Sequence, residues 1–350
     1  MFRILLFPFS LLYGLVTGIR NMLFDHNILK SVQFDIPVIS VGNITIGGTG
    51  KTPHVEYLIN LIKEKKNLAV LSRGYKRKTK GFLIANDYST SDDIGDETKQ
   101  IKTKFPDITV AVDANRVNGV SQLIKKKINT VILDDAFQHR YIKPGLSILL
   151  VDYNRNINTD YLLPYGRLRE SVKAKDRADI IIVSKTPETL KPIDRNLVSK
   201  NLKPRPCQKL YFSGLRYGKL VPFLSDTVSI PKDWGLSANS YSIVLVTGIA
   251  RPQQLKKYHE RFSNDIHHLN YPDHASFTQN KIRKILFTFN NIKNEKKIII
   301  TTEKDAVKIR EIKITDILLK QSFFYLPVEV FIMDREQEFK NQIIDYVGKN

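Results

Sequence analysis

A chain of 350 residues with 42 % hydrophobic content has enough apolar material to pack two domains of ordinary size, which excludes a disordered protein. Its single cysteine, Cys207, excludes an internal disulfide framework and fits a reducing compartment such as the cytoplasm. A formal charge of +20, from 55 Lys and Arg against 35 Asp and Glu, points to an anionic partner: nucleic acid, a phosphorylated substrate or an acidic membrane surface.

The first 24 residues read "MFRILLFPFSLLYGLVTGIRNMLF", with an uncharged run from Ile4 to Ile19 between Arg3 and Arg20. As a helix this run extends roughly 24 Å, short of the ~30 Å hydrocarbon core, so it is not expected to span a membrane. Basic ends, the aromatic rings of Phe7, Phe9 and Tyr13, and the helix-disturbing Pro8 and Gly14 suit a segment, residues 1–29, that lies in or dips into the membrane interface. A signal peptide is disfavoured because no small-x-small cleavage site follows; a buried core helix is the plainer alternative.

Short β-branched runs then alternate with helix-length polar segments: "IPVISVGN" (36–43), "NLAVLSRG" (67–74), "ITVAVD" (108–113), "TVILDD" (130–135), "LSILLVD" (146–152) and "DIIIVSKT" (179–186). This rhythm predicts an α/β domain over 30–205 with a mostly parallel sheet covered on both faces. Pro and Gly punctuate "NLKPRPCQKLYFSGLRYGKLVPF" (201–223), which reads as two short strands of a hinge over 206–235. Further strands at "SIVLVTGIA" (242–250), "KKIIITTEKD" (296–305) and "FFYLPVEVFIM" (323–333) predict a smaller α/β domain over 236–350, its last helix free to pack back on the first domain.

The chemistry concentrates at "VGNITIGGTGKTP" (41–53), which follows a strand and places Pro53 where a helix begins. Backbone N–H groups around Gly47, Gly48 and Gly50 can surround phosphate oxygens, Lys51 can neutralise the β and γ phosphates of ATP, and the Thr52 hydroxyl can bind magnesium, Mg²⁺. The strict phosphate-loop pattern would need glycine at Thr45, so the match is to the looser G-G-x-G-K-T form, with an ATP-binding loop of Thr45, Ile46, Gly47, Gly48, Thr49, Gly50, Lys51 and Thr52. A glycine-rich turn that holds no phosphate is the alternative. "TVILDDAFQHR" ends a hydrophobic strand in Asp134 and Asp135, whose carboxylates would meet the metal beside that loop.

Taken in order, "VGNITIGGTGKTP", "LSRGYKRK", "GDE", "LDDAFQHR", "LLPYGRLRE", "YPDHASF" and "TEKDAVK" resemble the tetraacyldisaccharide 4′-kinases of lipid A biosynthesis over nearly the whole chain. The ordered set, more than any one piece, carries the resemblance. It implies two α/β/α sandwich domains, the larger a P-loop NTPase-like fold, joined by a two-stranded hinge with ATP in the cleft. It implies transfer of the γ-phosphoryl group to the 4′-hydroxyl of a tetraacylated lipid disaccharide 1-phosphate at the cytoplasmic face of the bacterial inner membrane. Asp96 then matches the catalytic base and His274 its partner, a pairing that suits proton acceptance from a hydroxyl. The plainer alternatives are that Asp96 caps the helix beginning at Glu97 and that His274 is a surface loop residue. Arg73, Tyr75, Lys76, Arg77 and Lys78 form a basic patch that could hold the substrate's 1-phosphate and face anionic lipid, or is simply a solvated loop, while Arg116, Gln138, Arg169 and Glu170 complete the candidate substrate contacts. Thr302, Glu303, Lys304 and Asp305 of "TEKDAVK" suggest nucleotide contact from the second domain, although an ordinary strand-to-helix turn explains them as well. Where the family pattern has glycine in D-D-G-F-Q-H, this chain has Ala136, which puts the local backbone geometry in question.

Two other classes compete. Membrane-associated partitioning ATPases share the G-G-x-G-K-T form but carry a signature lysine before the two glycines, where this chain has Ile46. A nucleic-acid-dependent NTPase fits the charge, yet no recognisable nucleic-acid module accompanies the dispersed basic residues. The expected partners are therefore the lipid substrate and an anionic membrane surface, without nucleic acid and without an obligate protein partner.

Overall fold

The structure, a computed structural model, describes residues 2–224, 228, 230, 231, 234, 240–314 and 317–349. Much of the expected hinge beyond residue 224 lies outside the described residues.

A 3₁₀ turn (Phe2–Leu6) leads into helix α1 (Phe7–Asp25). Pro8 sits in the first turn, where its missing N–H costs nothing, so it starts the helix and does not disturb it. Gly14 is small for a packing reason: a Cβ there would come within 2.7 Å of Leu162. The face of α1 turned to the protein is polar. Ser10 donates to the Leu162 carbonyl (2.9 Å) and accepts from the Tyr165 amide (2.8 Å), Tyr13 donates to the Arg169 carbonyl (2.9 Å), and Asn21 donates to the Glu170 carboxylate (2.8 Å). The apolar face, with Leu5, Phe9, Leu11, Leu12, Leu15 and Val16, points to solvent. The apolar stretch reaches from Ile4 to Asp25, further than the sequence reading allowed and long enough to cross a bilayer. Its polar contacts along the protein instead hold it lengthwise against the body.

The large sheet is built from β1 (Val38–Asn43), β2 (Leu68–Ser72), β3 (Leu83–Ile84), β4 (Thr109–Val112), β5 (Thr130–Asp134), β6 (Leu146–Asp152), β7 (Ile180–Ser184) and β8 (Lys209–Tyr217). Between them run α2 (Lys51–Ile62), α3 (Ser91–Ile94), α4 (Asp96–Lys104), α5 (Arg116–Lys125) and α6 (Pro192–Leu202). A smaller sheet holds β9 (Val221–Pro222), β10 (Ser242–Thr247), β11 (Ile266–Asn270), β12 (Lys297–Thr302) and β13 (Phe323–Leu326), with helices α7 (Gln253–His259), α8 (Gln279–Asn290), α9 (Glu303–Arg310) and α10 (Ile317–Ser322). The chain closes with β14 (Val328–Met333) and α11 (Glu336–Gly348).

Strand order in the large sheet is β14-β8-β7-β6-β1-β5-β2-β4-β3; its interior pairs are parallel, and only the edge pairs β14/β8 and β3/β4 are antiparallel. Every residue of β1 is buried, because helices cover both faces. One face packs Val55, Leu58 and Ile59 of α2 with Ile101 of α4 and Phe339 and Ile343 of α11; the other packs Val120 and Leu123 of α5. The small sheet runs β11-β10-β12-β13-β9 between Ile285 and Phe289 of α8 on one face and Leu255 of α7 on the other.

The connection between the sheets differs from the sequence reading. "FFYLPVEVFIM" is two strands, not one: Pro327, which has no N–H to donate, separates β13 in the small sheet from β14, which returns to the large sheet and pairs with β8. Thus β14, placed by sequence in the second domain, packs with the first, and α11 packs back on the first domain with it. Residue 218 and Pro327 mark two crossings that lie side by side, joined by the Gly218 amide donating to the Pro327 carbonyl (2.9 Å).

Candidate active site

The loop after β1 is held from below by its own sheet. Asn43 donates to the Thr49 hydroxyl (2.8 Å), and Ser184 at the end of β7 donates to the Thr49 carbonyl (2.7 Å). Lys185 donates to the Gly48 carbonyl, and Arg155 to that of Ile46 (2.7 Å). Thr45 is tied down by bridging to Leu168. Gly50 adopts φ 85° as the residue capping α2, a left-handed conformation that glycine takes without strain, so the helix starts at Lys51 with its free N–H groups facing the loop. One turn later His54 is buried between the Gly50 carbonyl (Nδ1, 2.7 Å) and the Ser213 hydroxyl (Nε2, 2.9 Å). Burial and the nearby Lys185 charge lower its pKa to about 4, opposed by the bond to Gly50.

The acidic pair stands beside this loop. Lys51 lies 3.6 Å from Asp135, which also receives Arg169 at 3.0 Å. Burial opposes ionisation of Asp135, but Lys51 and Arg169 outweigh it and hold the carboxyl below its usual range. Asp134 is 1 % exposed; Ser72 donates to its Oδ2 (3.3 Å), while Oδ1 is buried without a hydrogen-bond partner. Burial, with the charges of Glu97 and Asp135, pushes Asp134 up to about 7. Gln138 organises the rim, donating to the Asn43 carbonyl (2.8 Å) and accepting from Arg169 (3.3 Å).

Asp96 and His274 come together although 178 residues apart, with His274 Nδ1 3.0 Å from Asp96 Oδ2. Asp96 opens α4 but makes no capping bond; Gly95 is the capping residue, at φ 86°, and a Cβ there would meet the Tyr75 carbonyl at 2.8 Å. His274 is held at φ 60°, its ring edge-on to Tyr75 at 5.4 Å. Lys304 lies 3.1 Å from His274 Nε2, and Lys308 lies 2.9 Å from Asp96 Oδ2. An ammonium only donates, so Nε2 accepts from Lys304 and the ring proton sits on Nδ1, aimed at Asp96.

In "TEKDAVK" the structure shows the strand-to-helix turn. Thr302 caps α9 by accepting from the Asp305 amide, and Asp305 is buried, accepting from the Gly248 amide (2.7 Å). Glu303 pairs with Lys104 (3.0 Å), and Lys304 and Lys308 serve the Asp96–His274 pair. Among the proposed substrate contacts, Arg73, Tyr75 and Lys76 are exposed on the loop after β2. Arg77 is turned inward to the Gly81 carbonyl (2.6 Å), bracing that loop. Arg116 is 3 % exposed and donates to the Ala114 carbonyl (3.2 Å); burial, against the pull of Asp134, lowers it to about 10. Glu170 is wholly buried, bonded to Arg177 (2.9 Å) and Asn21, so in this structure it anchors α1 and does not face the cleft.

Sequence reasoning missed a cluster at the end of β6. Asp152 is 2 % exposed and gathers Lys185 (3.2 Å), Arg155 (3.6 Å) and, from the small sheet's side, Arg251 (3.6 Å). The signal was available: "VDYNR" and "VSK" end two hydrophobic strands, β6 beside the phosphate-loop strand and β7 next to β6. Next to Lys185 and Thr186 a cavity of about 460 Å³ opens between Leu215 and Tyr217 of β8 and Gln254 and Tyr258 of α7.

A family model described as tetraacyldisaccharide-1-P 4′-kinase matches residues 2–348. The chain belongs to this kinase family. The tetraacyldisaccharide 4′-kinase of Bacteroides thetaiotaomicron is 47 % identical over 354 residues, covering 99 % of this chain and 93 % of that protein. That of Phocaeicola vulgatus is 47 % identical over 352 residues, with 99 % and 95 % covered. A crystal structure of LpxK from Aquifex aeolicus in complex with ATP superposes with a TM-score of 0.76 at 28 % identity, covering 99 % of this chain and 100 % of that one. Against the family's glycine, Ala136 is buried in the core with Leu133 and Ile142, and it is not among the positive-φ residues, so the extra methyl fits without strain.

Proposed function

We propose that this chain transfers the γ-phosphoryl group of ATP to the 4′-hydroxyl of tetraacyldisaccharide 1-phosphate, giving the 4′-phosphorylated lipid A precursor. The observation that carries the reading is the match to this kinase family from residue 2 to 348, in a chain that also holds an Asp96–His274 pair. The acceptor oxygen forms a bond to the γ-phosphorus as the bond to the β–γ bridging oxygen breaks and ADP departs. The hydroxyl proton passes to Asp96, whose partner His274 orients the carboxylate. Lys51 and the amides at Gly47, Gly48 and Gly50 hold the phosphates and neutralise the charge that moves to the leaving oxygen.

The orphaned, buried Asp134 Oδ1 beside Lys51 suits a divalent cation. Thr52, Asp134 and Asp135 would hold Mg²⁺, which supplies charge neutralisation on the phosphates when bound. The cavity next to Lys185 has room for a nucleotide base against Tyr217 and Tyr258. Arg73, Tyr75 and Lys76 are the exposed groups for the substrate's 1-phosphate, and the outward apolar face of α1 suits the membrane interface at the cytoplasmic face, where the lipid substrate lies.

Incubation with labelled ATP, Mg²⁺ and tetraacyldisaccharide 1-phosphate in detergent is expected to yield a labelled lipid. ATP consumption that depends on a partner protein and labels no lipid would favour the partitioning-ATPase class instead.

A further inference from the structure

We propose that Lys308 is the positioning residue that fixes the geometry and the proton affinity of Asp96. The inference rests on the reading of Asp96 as the base.

The Lys308 side chain is 6 % exposed. Its ammonium makes two bonds that together define the pair: to Asp96 Oδ2 at 2.9 Å, and to the carbonyl of Ala275 at 2.9 Å. Ala275 follows His274, whose backbone is held in the left-handed region. One buried cation therefore grips both the carboxylate and the strained turn that presents the imidazole. Such a conformation persists only where its surroundings over-determine it.

The two donors also divide the carboxylate. His274 and Lys308 both occupy Oδ2, and among the described residues no hydrogen bond is made to Oδ1. Oδ1 is thus the oxygen left for the acceptor hydroxyl, with one lone pair directed at the incoming proton while the other oxygen is fixed. Burial opposes ionisation of Asp96, but the bonds from His274 and Lys308 and the Lys308 charge outweigh it, so the carboxyl stays ionised below the usual range. Of the other charged groups around the pair, Lys304 lies against two carboxylates, Asp273 (3.4 Å) and Glu97 (3.6 Å), and the Tyr75 ring closes the side of His274. Lys308 is the cation that touches Asp96 itself. It belongs to α9, so the large sheet's carboxylate depends on the small sheet's helix for its working state.

The test compares pH profiles of kcat with tetraacyldisaccharide 1-phosphate in detergent. Lys308→Met keeps the aliphatic stem and removes the cation. It is expected to lower kcat at neutral pH about 10- to 100-fold, leave the KM for ATP unchanged, and move the acid limb up by about one pH unit or more, as removal of a contacting opposite charge does. In an Asp96→Asn background the same change is expected to cost little, because Lys308 acts through Asp96. Lys308→Gln, which retains hydrogen-bond donation without charge, is expected to give the same shift of the acid limb with a smaller loss of kcat; it decides the matter if Lys308→Met does not fold. A folded Lys308 variant with the wild-type acid limb, or full additivity with Asp96→Asn, overturns the proposal. Undiminished turnover by Asp96→Asn alone overturns it through its premise, and is told apart because the base reading fails with Lys308 intact.

Discussion

The phosphate loop and the Asp96–His274 pair are built in opposite ways. The loop is eight consecutive residues following one strand, and the bonds that shape it come from the large sheet: Asn43, Ser184, Lys185 and, through His54, Ser213. The pair is assembled from two sheets, with Asp96 opening α4 while His274, Lys304 and Lys308 come from the small sheet's side. On the proposed reading a phosphate cradle can therefore stand preformed, whereas proton acceptance depends on α4 and α9 remaining packed. Lys104 at the far end of α4 makes that dependence physical, bridging Glu56 on α2 (2.7 Å) and Glu303 on α9 (3.0 Å).

The loop is where the largest loss is expected. Lys51→Ala removes the charge proposed to face the phosphates in the ground state and in transfer, a contribution of roughly 4 kcal/mol or more, so turnover is expected to fall about a thousandfold or further. ATP binding should weaken together with kcat. A folded variant with most of its turnover would sink the phosphate-loop assignment.

At the other half of the comparison, Asp96→Asn keeps size and much of the hydrogen bonding but cannot take the proton. An expected fall of about 10²–10³ in kcat with little change in ATP affinity separates it from the loop variant. His274→Ala should act on the same step, so the double variant should lose far less than the product of the two single effects; multiplicative losses would show two independent residues.

Lys104→Met sharpens the contrast, because it touches neither phosphate nor acceptor. It leaves Glu56 and Glu303 without their shared cation, and Glu56 is already pushed up to about 7 by burial and by Glu303. Loss of a buried partner should lower the melting temperature. Loosening α4 from α9 should reduce kcat about tenfold while ATP affinity, which belongs to the loop, stays near wild type. An equal loss of both would mean that the two halves are not separable.

The same contrast explains what could be read from the sequence. Strands buried on both faces must be apolar along their whole length, so β1, β2, β4, β5, β6 and β7 stood out as runs, and the loop was legible because its groups are contiguous. β11 was not anticipated: "IHHLN" is an edge strand with His267 exposed, and its polar residues break the run. β14 was hidden behind Pro327, since no local pattern records that a chain has changed sheets. Asp96 and His274 carry no spacing signal at all, and their pairing came from a family resemblance. In "TEKDAVK" the sequence points to Thr302, Glu303, Lys304 and Asp305, as nucleotide contact or as an ordinary strand-to-helix turn, and not to Lys308, because sequence order cannot show which side chains α9 meets.

The smallest effect tests the loop's foundation in place of its chemistry. His54 must be neutral to donate from Nδ1 to the Gly50 carbonyl and accept at Nε2 from Ser213, and burial lowers its pKa to about 4 against 6.5 for a free imidazole. Between those values the unfolded chain binds the extra proton and the folded chain does not. The His54 contribution is thus fully present above about pH 6.5 and is lost as pH falls toward 4, amounting to about 2 kcal/mol between pH 7 and pH 5. His139 and His259, also lowered to about 4 by burial, act in the same direction and window. Denaturant unfolding of wild type and His54→Gln at the two pH values reads the difference. The variant is expected to be less stable at pH 7 yet to lose about 2 kcal/mol less on acidification. Equal losses would mean that His54 does not need to be neutral for the loop to keep its shape.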